Sequence, residues 1–314
     1  MNDVVLFSAG LALGLFAAET TAGRLVRKAI LLPLRPFRAT ESVFDLGHLL
    51  LNLPPLHTLP TWVNLGYWRT ATTYSEACED LARVLAKAAR VRPGDDMVDV
   101  GVGCGDQDVL LAREFRPRSV IALNISTEQT AVAQRNVAEA GVGDVVDVRV
   151  GDGARLDGVD AASVDKVLSL DSAYHYETRE AFFASSMRVL RPGGTLAVAD
   201  MIPAAMPSSW LGRTLAALLA RVNLVPPANL YDAEGYRARL LRAGFVDVRM
   251  EHIEEYVFAG FAAFMREHHA SYAPLIARDA WTRYTSAGRA LAWAANSGRF
   301  HYVIVTAEKP QVEQ

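Results

Sequence analysis

Three glycines at alternate positions, Gly101, Gly103 and Gly105, follow an apolar run and precede a stretch that reads as a helix start. Such spacing lets the backbone turn sharply and lets a ligand lie against it with no Cβ in the way. A dinucleotide is excluded, because G-x-G-x-x-G would need glycine at 106 or 108, where Asp106 and Asp108 stand. A phosphate loop is excluded too, since no Lys followed by Ser or Thr closes the turn. Acidic groups at the head of a helix already occupy the positive end of its dipole. A ligand carrying an ammonium or a sulfonium therefore suits this turn better than a phosphate. For the glycines alone, a purely structural turn is the competing reading.

A second group of reactive side chains, Asp171, Tyr174, His175 and Tyr176, follows the apolar run 164–170. His175 is the leading candidate for a general base, because imidazole titrates near neutrality. A histidine that only packs the loop is the alternative. Asp171 could orient that ring or face a cation, and Tyr174 completes the candidate catalytic set. His268 and His269, beside Glu267, read as solvated. No acidic cluster of the magnesium-binding kind follows the run, and Cys78 and Cys104 lack ligand spacing, so no metal is expected.

These residues need a frame. After about residue 66, apolar runs bounded by turn residues alternate with helical periodicity, which argues for a parallel sheet covered on both faces. Strands are expected at 96–102, 120–123, 146–150, 164–170, 195–201, 246–253 and 300–308. Helices are expected at 75–90, at 127–140 with Gly141 as stop, at 178–190, at 232–243 and within 258–296; a further helix is expected to start at Asp106 as its cap. The insert 203–230 carries a helix at 208–221 with Trp210, Leu211, Leu215, Leu218 and Leu219 apolar. Long connections at the C-terminal ends of parallel strands are where ligands bind, so the insert reads as a lid, with a simple extension of the core as the alternative.

The string VRPGDDMVDVGVGCG, residues 91–105, resembles motif I of the class I S-adenosylmethionine-dependent methyltransferases. The likeness continues in order through NISTEQ (124–129), GDGARL (151–156), LDSAYHY (170–176), RPGG (191–194) and LLRAGF (240–245), covering roughly residues 67–308. It implies a Rossmann-like, doubly wound, seven-stranded and mainly parallel sheet, with S-adenosyl-L-methionine as cofactor. On that resemblance Gly101, Gly103 and Gly105 approach the methionine part, and Asp99 and Asp106 face its amino group and sulfonium. Asp152 and Gly153 receive the adenine. Most relatives place Asp or Glu at the end of the second strand, where this chain has Asn124; an amide accepts less than a carboxylate. Gln129 is then the candidate for the missing ribose contact, in a variant similar to lipid- and small-molecule-modifying members. Tyr74 and Ser75 resemble a cofactor-contacting pair of the cyclopropane-fatty-acid synthase branch, with a plain helix start as the alternative.

The expected activity is methyl transfer to a small lipophilic acceptor. A fatty-acyl cyclopropane synthase-like lipid modifier and a non-catalytic membrane-associated module that binds the cofactor are the alternatives. The chain has 314 residues, a net charge of −3 and no basic run interleaved with aromatics, so nucleic acid is not an expected partner. Two separated cysteines read as reduced thiols of a cytoplasmic protein. Residues 1–66 read as an apolar N-terminal helical arm, ahead of the methyltransferase domain 67–314. Its run 4–18, about 22 Å as a helix, is short of a hydrocarbon core of roughly 30 Å. Basic residues between Arg24 and Arg38 follow. Residues 1–38 are expected to attach to the cytoplasmic face of a membrane; a true span or packing on the protein's own body are the alternatives.

Overall fold

A computed structural model describes residues 61–272, 289, 292–293 and 296–311. All described residues belong to the unit Thr40–Gln314. The apolar run 4–18 and the expected membrane attachment of residues 1–38 lie outside the described residues. No helix among the described residues is long and apolar enough to cross a membrane.

Seven strands form one sheet in the order β3-β2-β1-β4-β5-β7-β6. In chain order they are β1 (Asp96–Val100), β2 (Ser119–Asn124), β3 (Val146–Val150), β4 (Val164–Leu170), β5 (Leu190–Pro203), β6 (Val246–His252) and β7 (Phe300–Glu308). The first five run parallel, and β7 lies antiparallel between β5 and β6. Every residue of β1 is buried, as a central strand covered on both faces requires. One core, with Leu81, Leu85, Met97, Leu111 and Phe258, covers one face of the sheet. The other, with Val167, Phe182, Phe183, Tyr236 and Leu240, covers the opposite face.

The helices are α1 (Tyr74–Ala88), α2 (Asp106–Glu114), α3 (Thr127–Glu139), α4 (Arg179–Val189), α5 (Trp210–Val222), α6 (Ala233–Arg242) and α7 (Glu254–Tyr272). Side-chain caps start most of them. Thr73 and Glu76 close a capping box on α1, and Ser126, Thr178, Ser209 and Asp232 cap α3, α4, α5 and α6. The start of α2 departs from expectation. Its cap is Gly105 in a left-handed conformation, and Asp106 is the first helical residue. Strand β5 begins at Leu190, five residues earlier than Thr195, because Leu190 already pairs with Val164.

Parallel strand order reverses between β1 and β4, which opens a crevice at their C-terminal ends. The glycine turn leaves β1 there, and Asp171 leaves β4.

Candidate active site

Backbone geometry at the turn is what the sequence pattern demands. Gly101, Gly103 and Gly105 have φ of +78°, +57° and +85°. The reason for glycine differs at each. A Cβ on Gly101 would lie 2.3 Å from Ser172 Oγ, and one on Gly105 would lie 3.0 Å from the Cβ of Ala133 on α3. Those two are kept bare by neighbouring protein, not by a ligand. A Cβ on Gly103 would meet only Val63 Cγ2, at 2.7 Å. Gly153 is bare for a third partner, since its Cβ would press on Val100 and Tyr176 at 2.7 and 2.9 Å.

Val63 belongs to a strap that sequence reasoning assigned to the arm. Residues 61–66 are held by the body of the protein. Thr61 donates its amide and hydroxyl to the Asp106 carboxylate, and Leu65 N donates to Asp171 Oδ2 at 2.7 Å. Asn136 Nδ2 ties Thr61 Oγ1 to the Cys104 carbonyl, at 2.9 Å each. The strap leaves a cavity of about 50 Å³ lined by Thr61, Trp62, Val63, Gly101, Asp106 and Asp171, among others. Small-molecule pockets typically span roughly 300 to 1,000 Å³, so a ligand the size of a nucleoside requires the strap to shift.

Asp99 and Asp108 are fully buried beneath the turn. Asp99 Oδ2 accepts from Gln107 Nε2 at 2.6 Å, while Asp99 Oδ1 and both oxygens of Asp108 lack a donor from the rest of the protein. Burial pushes Asp99 up to about 7, and burial together with the Asp99 charge raises Asp108 further. Two carboxyls in this contact share a proton near neutrality.

Asn124 and Gln129 meet at the end of β2. Asn124 Nδ2 donates to Gln129 Oε1 at 3.0 Å and to the Gly103 carbonyl at 3.2 Å. Asp152, in the turn after β3, accepts from Ala154 N at 2.9 Å. The Tyr74 hydroxyl donates to the Asn64 carbonyl at 2.8 Å, so it holds the strap, and Ser75 follows it in the first turn of α1. Asp106 likewise serves the strap through Thr61.

Asp171 has φ of +55° and is pushed up to about 7 by burial. Its second oxygen accepts from the Tyr174 hydroxyl at 3.2 Å; that phenol, raised well above its ordinary value by burial, stays a donor. His175 follows in a one-turn 3-10 helix. Its Nδ1 lies 2.7 Å from the Leu224 carbonyl, which can only accept, so Nδ1 carries the proton and the lone pair sits on Nε2. Burial lowers His175 to about 4, so the ring is neutral at physiological pH. The ring is oriented by Leu224 of the insert, where sequence reasoning had offered Asp171.

The pH response of Asp171 follows from its displacement. A carboxyl raised in the folded state, against about 3.9 in a free chain, stabilises the fold below pH 4 and loses that contribution as pH rises through about 7. Asp171→Asn removes the titration and keeps a residue that tolerates left-handed backbone. Its urea midpoint relative to the unsubstituted chain should rise between pH 5 and pH 8. The same difference at both pH values would contradict the assignment.

Sequence reasoning named Tyr176 without its part in holding this loop, and missed Asn229, Arg179 and Asp200. Tyr176 OH donates to the Val100 carbonyl at 2.9 Å and bonds Ser169 and Ser172 at 3.0 and 2.7 Å. Asn229 Nδ2 donates to the carbonyls of Tyr174 and Tyr176, at 3.1 and 2.7 Å, and its Oδ1 accepts from Arg179 N at 2.9 Å. Arg179 and Asp200 form an ion pair at 2.8 Å, 1% and 0% exposed. The insert helix α5 has Trp210, Leu211, Leu218 and Leu219 exposed and Ala220 buried. His268, expected in solvent, is buried against Phe264 and Tyr272.

Comparison with known proteins follows the same lines. Residues 98–198 match the model of a methyltransferase domain family. Over 201 residues the chain is 33% identical to erythromycin 3''-O-methyltransferase of Saccharopolyspora erythraea, covering 62% of this chain and 65% of the relative. Over 194 residues it is 31% identical to 27-O-demethylrifamycin SV methyltransferase of Amycolatopsis mediterranei, covering 61% and 69%. The matched stretch thus spans just under two thirds of the first relative's own length. A cyclopropane synthase of Mycobacterium tuberculosis superposes with a TM-score of 0.68 at 19% identity, covering 88% of this chain and all of that one, which shows a shared fold. The chain belongs to the class I S-adenosylmethionine-dependent methyltransferases.

The family's cofactor is S-adenosylmethionine. The site's residues fit it. A bare, left-handed turn, a buried acidic pair with stranded oxygens and polar ends on β2 and β3 are its requirements, with the strap displaced.

Proposed function

We propose that this chain transfers a methyl group from S-adenosylmethionine to a hydroxyl oxygen of a small, lipophilic acceptor. The observation that carries this reading is the crevice between β1 and β4, where Gly101 at the glycine turn and Asp171 after β4 line one cavity beneath the strap. Relatives named erythromycin 3''-O-methyltransferase and nocamycin O-methyltransferase support an oxygen acceptor. Exposed apolar side chains on α5 support a lipophilic one.

When bound, the cofactor supplies a methyl carbon already activated by its sulfonium. The protein's part is positioning and proton removal. Backbone at Gly101–Gly105 receives the methionine portion, the Asn124–Gln129 pair receives the ribose diol, and Asp152 with the backbone at Gly153 receives the adenine. Tyr74 and Ser75 act on that portion indirectly, through the strap. His175 Nε2 accepts the acceptor's hydroxyl proton, and the Leu224 carbonyl holds the ring in the tautomer that can do so. Residues 1–38 attach the protein to a membrane surface in this reading, near a lipophilic acceptor.

The test is calorimetric titration with S-adenosylhomocysteine beside turnover of labelled donor on lipid and soluble extracts, with vesicle sedimentation of the full chain alongside. His175→Ala should lower turnover at least about 100-fold and leave affinity for S-adenosylhomocysteine within twofold. Undiminished turnover removes His175 as base. Absence of binding by the unsubstituted chain removes the whole reading.

A further inference from the structure

We propose that His252, Glu254 and His301 form a binding site for a divalent transition-metal ion of the zinc type. The cluster stands apart from the crevice residues and no part of the proposed mechanism uses it. His252 ends β6, Glu254 opens α7 and His301 is the second residue of β7. Antiparallel pairing sets His252 opposite Val303, two residues from His301 on the same face of the sheet. The two imidazole rings stand edge to face with centroids 4.4 Å apart. Glu254 lies between them, with Oε1 2.7 Å from His301 Nδ1 and Oε2 3.6 Å from His252 Nδ1.

One ligand atom from each residue lies within 4.8 Å of the others. With metal–ligand bonds of about 2.0–2.1 Å, tetrahedral ligands sit about 3.4 Å apart. Glu254 Oε2 and His252 Nδ1, at 3.6 Å, are already near that spacing, while His301 Nδ1 sits 2.7 Å from the other oxygen, Oε1, so metal binding exchanges that hydrogen bond for a small turn of the carboxylate toward both rings. A second observation points to a missing partner. Glu254 Oε2 is buried, although the residue as a whole is only half-buried, and has no hydrogen-bond donor. A metal ion between the imidazoles would satisfy it.

Ligand chemistry selects the ion. Two imidazoles and one carboxylate suit zinc, cobalt and nickel, whereas calcium and magnesium take oxygen ligands. Three protein ligands leave at least one coordination position open. The site lies at the end of the sheet that also carries the crevice, since His301 pairs with Ile202 near the end of β5. Sequence reading expected no metal here, because His301 lies 47 residues beyond Glu254 and no short motif joins them.

The test uses the full chain without a histidine tag. Titration with cobalt should give one equivalent bound and the visible absorption of a low-symmetry nitrogen and oxygen site, and zinc should displace it. Glu254→Gln, close in shape, and His301→Ala should each weaken zinc binding at least about 100-fold. His269→Ala, outside the cluster, should leave it unchanged. Zinc binding retained in Glu254→Gln, or no cobalt spectrum with the unsubstituted chain at millimolar metal, overturns the proposal. If His301→Ala fails to fold, the glutamine variant and the cobalt spectrum decide.

Discussion

Gly103→Val should abolish measurable binding of S-adenosylhomocysteine while the chain stays folded. Two effects of different size separate at this position. The backbone effect is strain, because φ is +57° and a side chain there carries a penalty of about 1–3 kcal/mol. Set against a total stability of about 5–15 kcal/mol, that does not unfold a domain of this size. The steric effect acts on the crevice. A Cβ on Gly103 would enter the space beside Val63 Cγ2, which is half-exposed and belongs to the strap, so the protein can yield. In the proposed reading the methionine portion of the ligand lies where the new methyls would project, and it has no room to yield. Gly101→Val and Gly105→Val make a poorer experiment, since their new side chains would strike Ser172 and helix α3 and loss of binding could follow from misfolding. Calorimetry with circular dichroism reads both quantities. Near-native affinity in a folded Gly103→Val protein would move the cofactor away from this turn.

The three glycines show how far sequence carries and where it stops. Spacing and type located the turn, because a left-handed backbone at alternate positions has almost no other solution. What each glycine avoids was not legible, since Ser172, Val63 and Ala133 arrive from three different segments. The same division runs through the site. Asn124 and Gln129 are five residues apart across a helix start; sequence named both for one part of the ligand, and their mutual hydrogen bond is what the structure adds. Asp106 was read as a cap because an acid after glycine usually is one; Gly105 took that place and freed the carboxylate for Thr61, 45 residues away. His175 was found by type, but its orienting carbonyl at Leu224 is 49 residues away and carries no side-chain signature at all. Strand runs were legible from alternation and turn residues. The early start of β5 was not, because Pro192, Gly193 and Gly194 look like a turn, and what keeps them in the strand is the pairing of Leu190 with Val164 and the backbone bonds of Gly193 and Gly194 with Lys309.

Asp200→Ala should destabilise the protein by about 3–5 kcal/mol in urea unfolding. Arg179 is the reason. Its guanidinium is fully buried, donates to Asp200 and to the carbonyls of Met201 and Asn229, and lies 5.0 and 5.4 Å from the rings of Tyr231 and Tyr236. The Asp200 charge keeps it protonated against desolvation. Without that carboxylate a buried cation has two carbonyls and two aromatic faces, which do not replace a counter-charge. Tyr236 also loses the acceptor of its hydroxyl, Asp200 Oδ2 at 3.1 Å. Arg179→Met combined with Asp200→Leu removes both charges, and it should recover much of the loss, because paired charges in an interior contribute little beyond their own desolvation. The consequence for activity is separate. The Arg179 guanidinium donates to the Asn229 carbonyl, and Asn229 Nδ2 donates to the carbonyls of Tyr174 and Tyr176, so the loop bearing His175 is referenced to this ion pair. The double variant should therefore regain stability without regaining turnover. Recovery of both would mean that the ion pair is a stability element alone; a loss under about 1 kcal/mol in Asp200→Ala would mean that Arg179 finds solvent on its own.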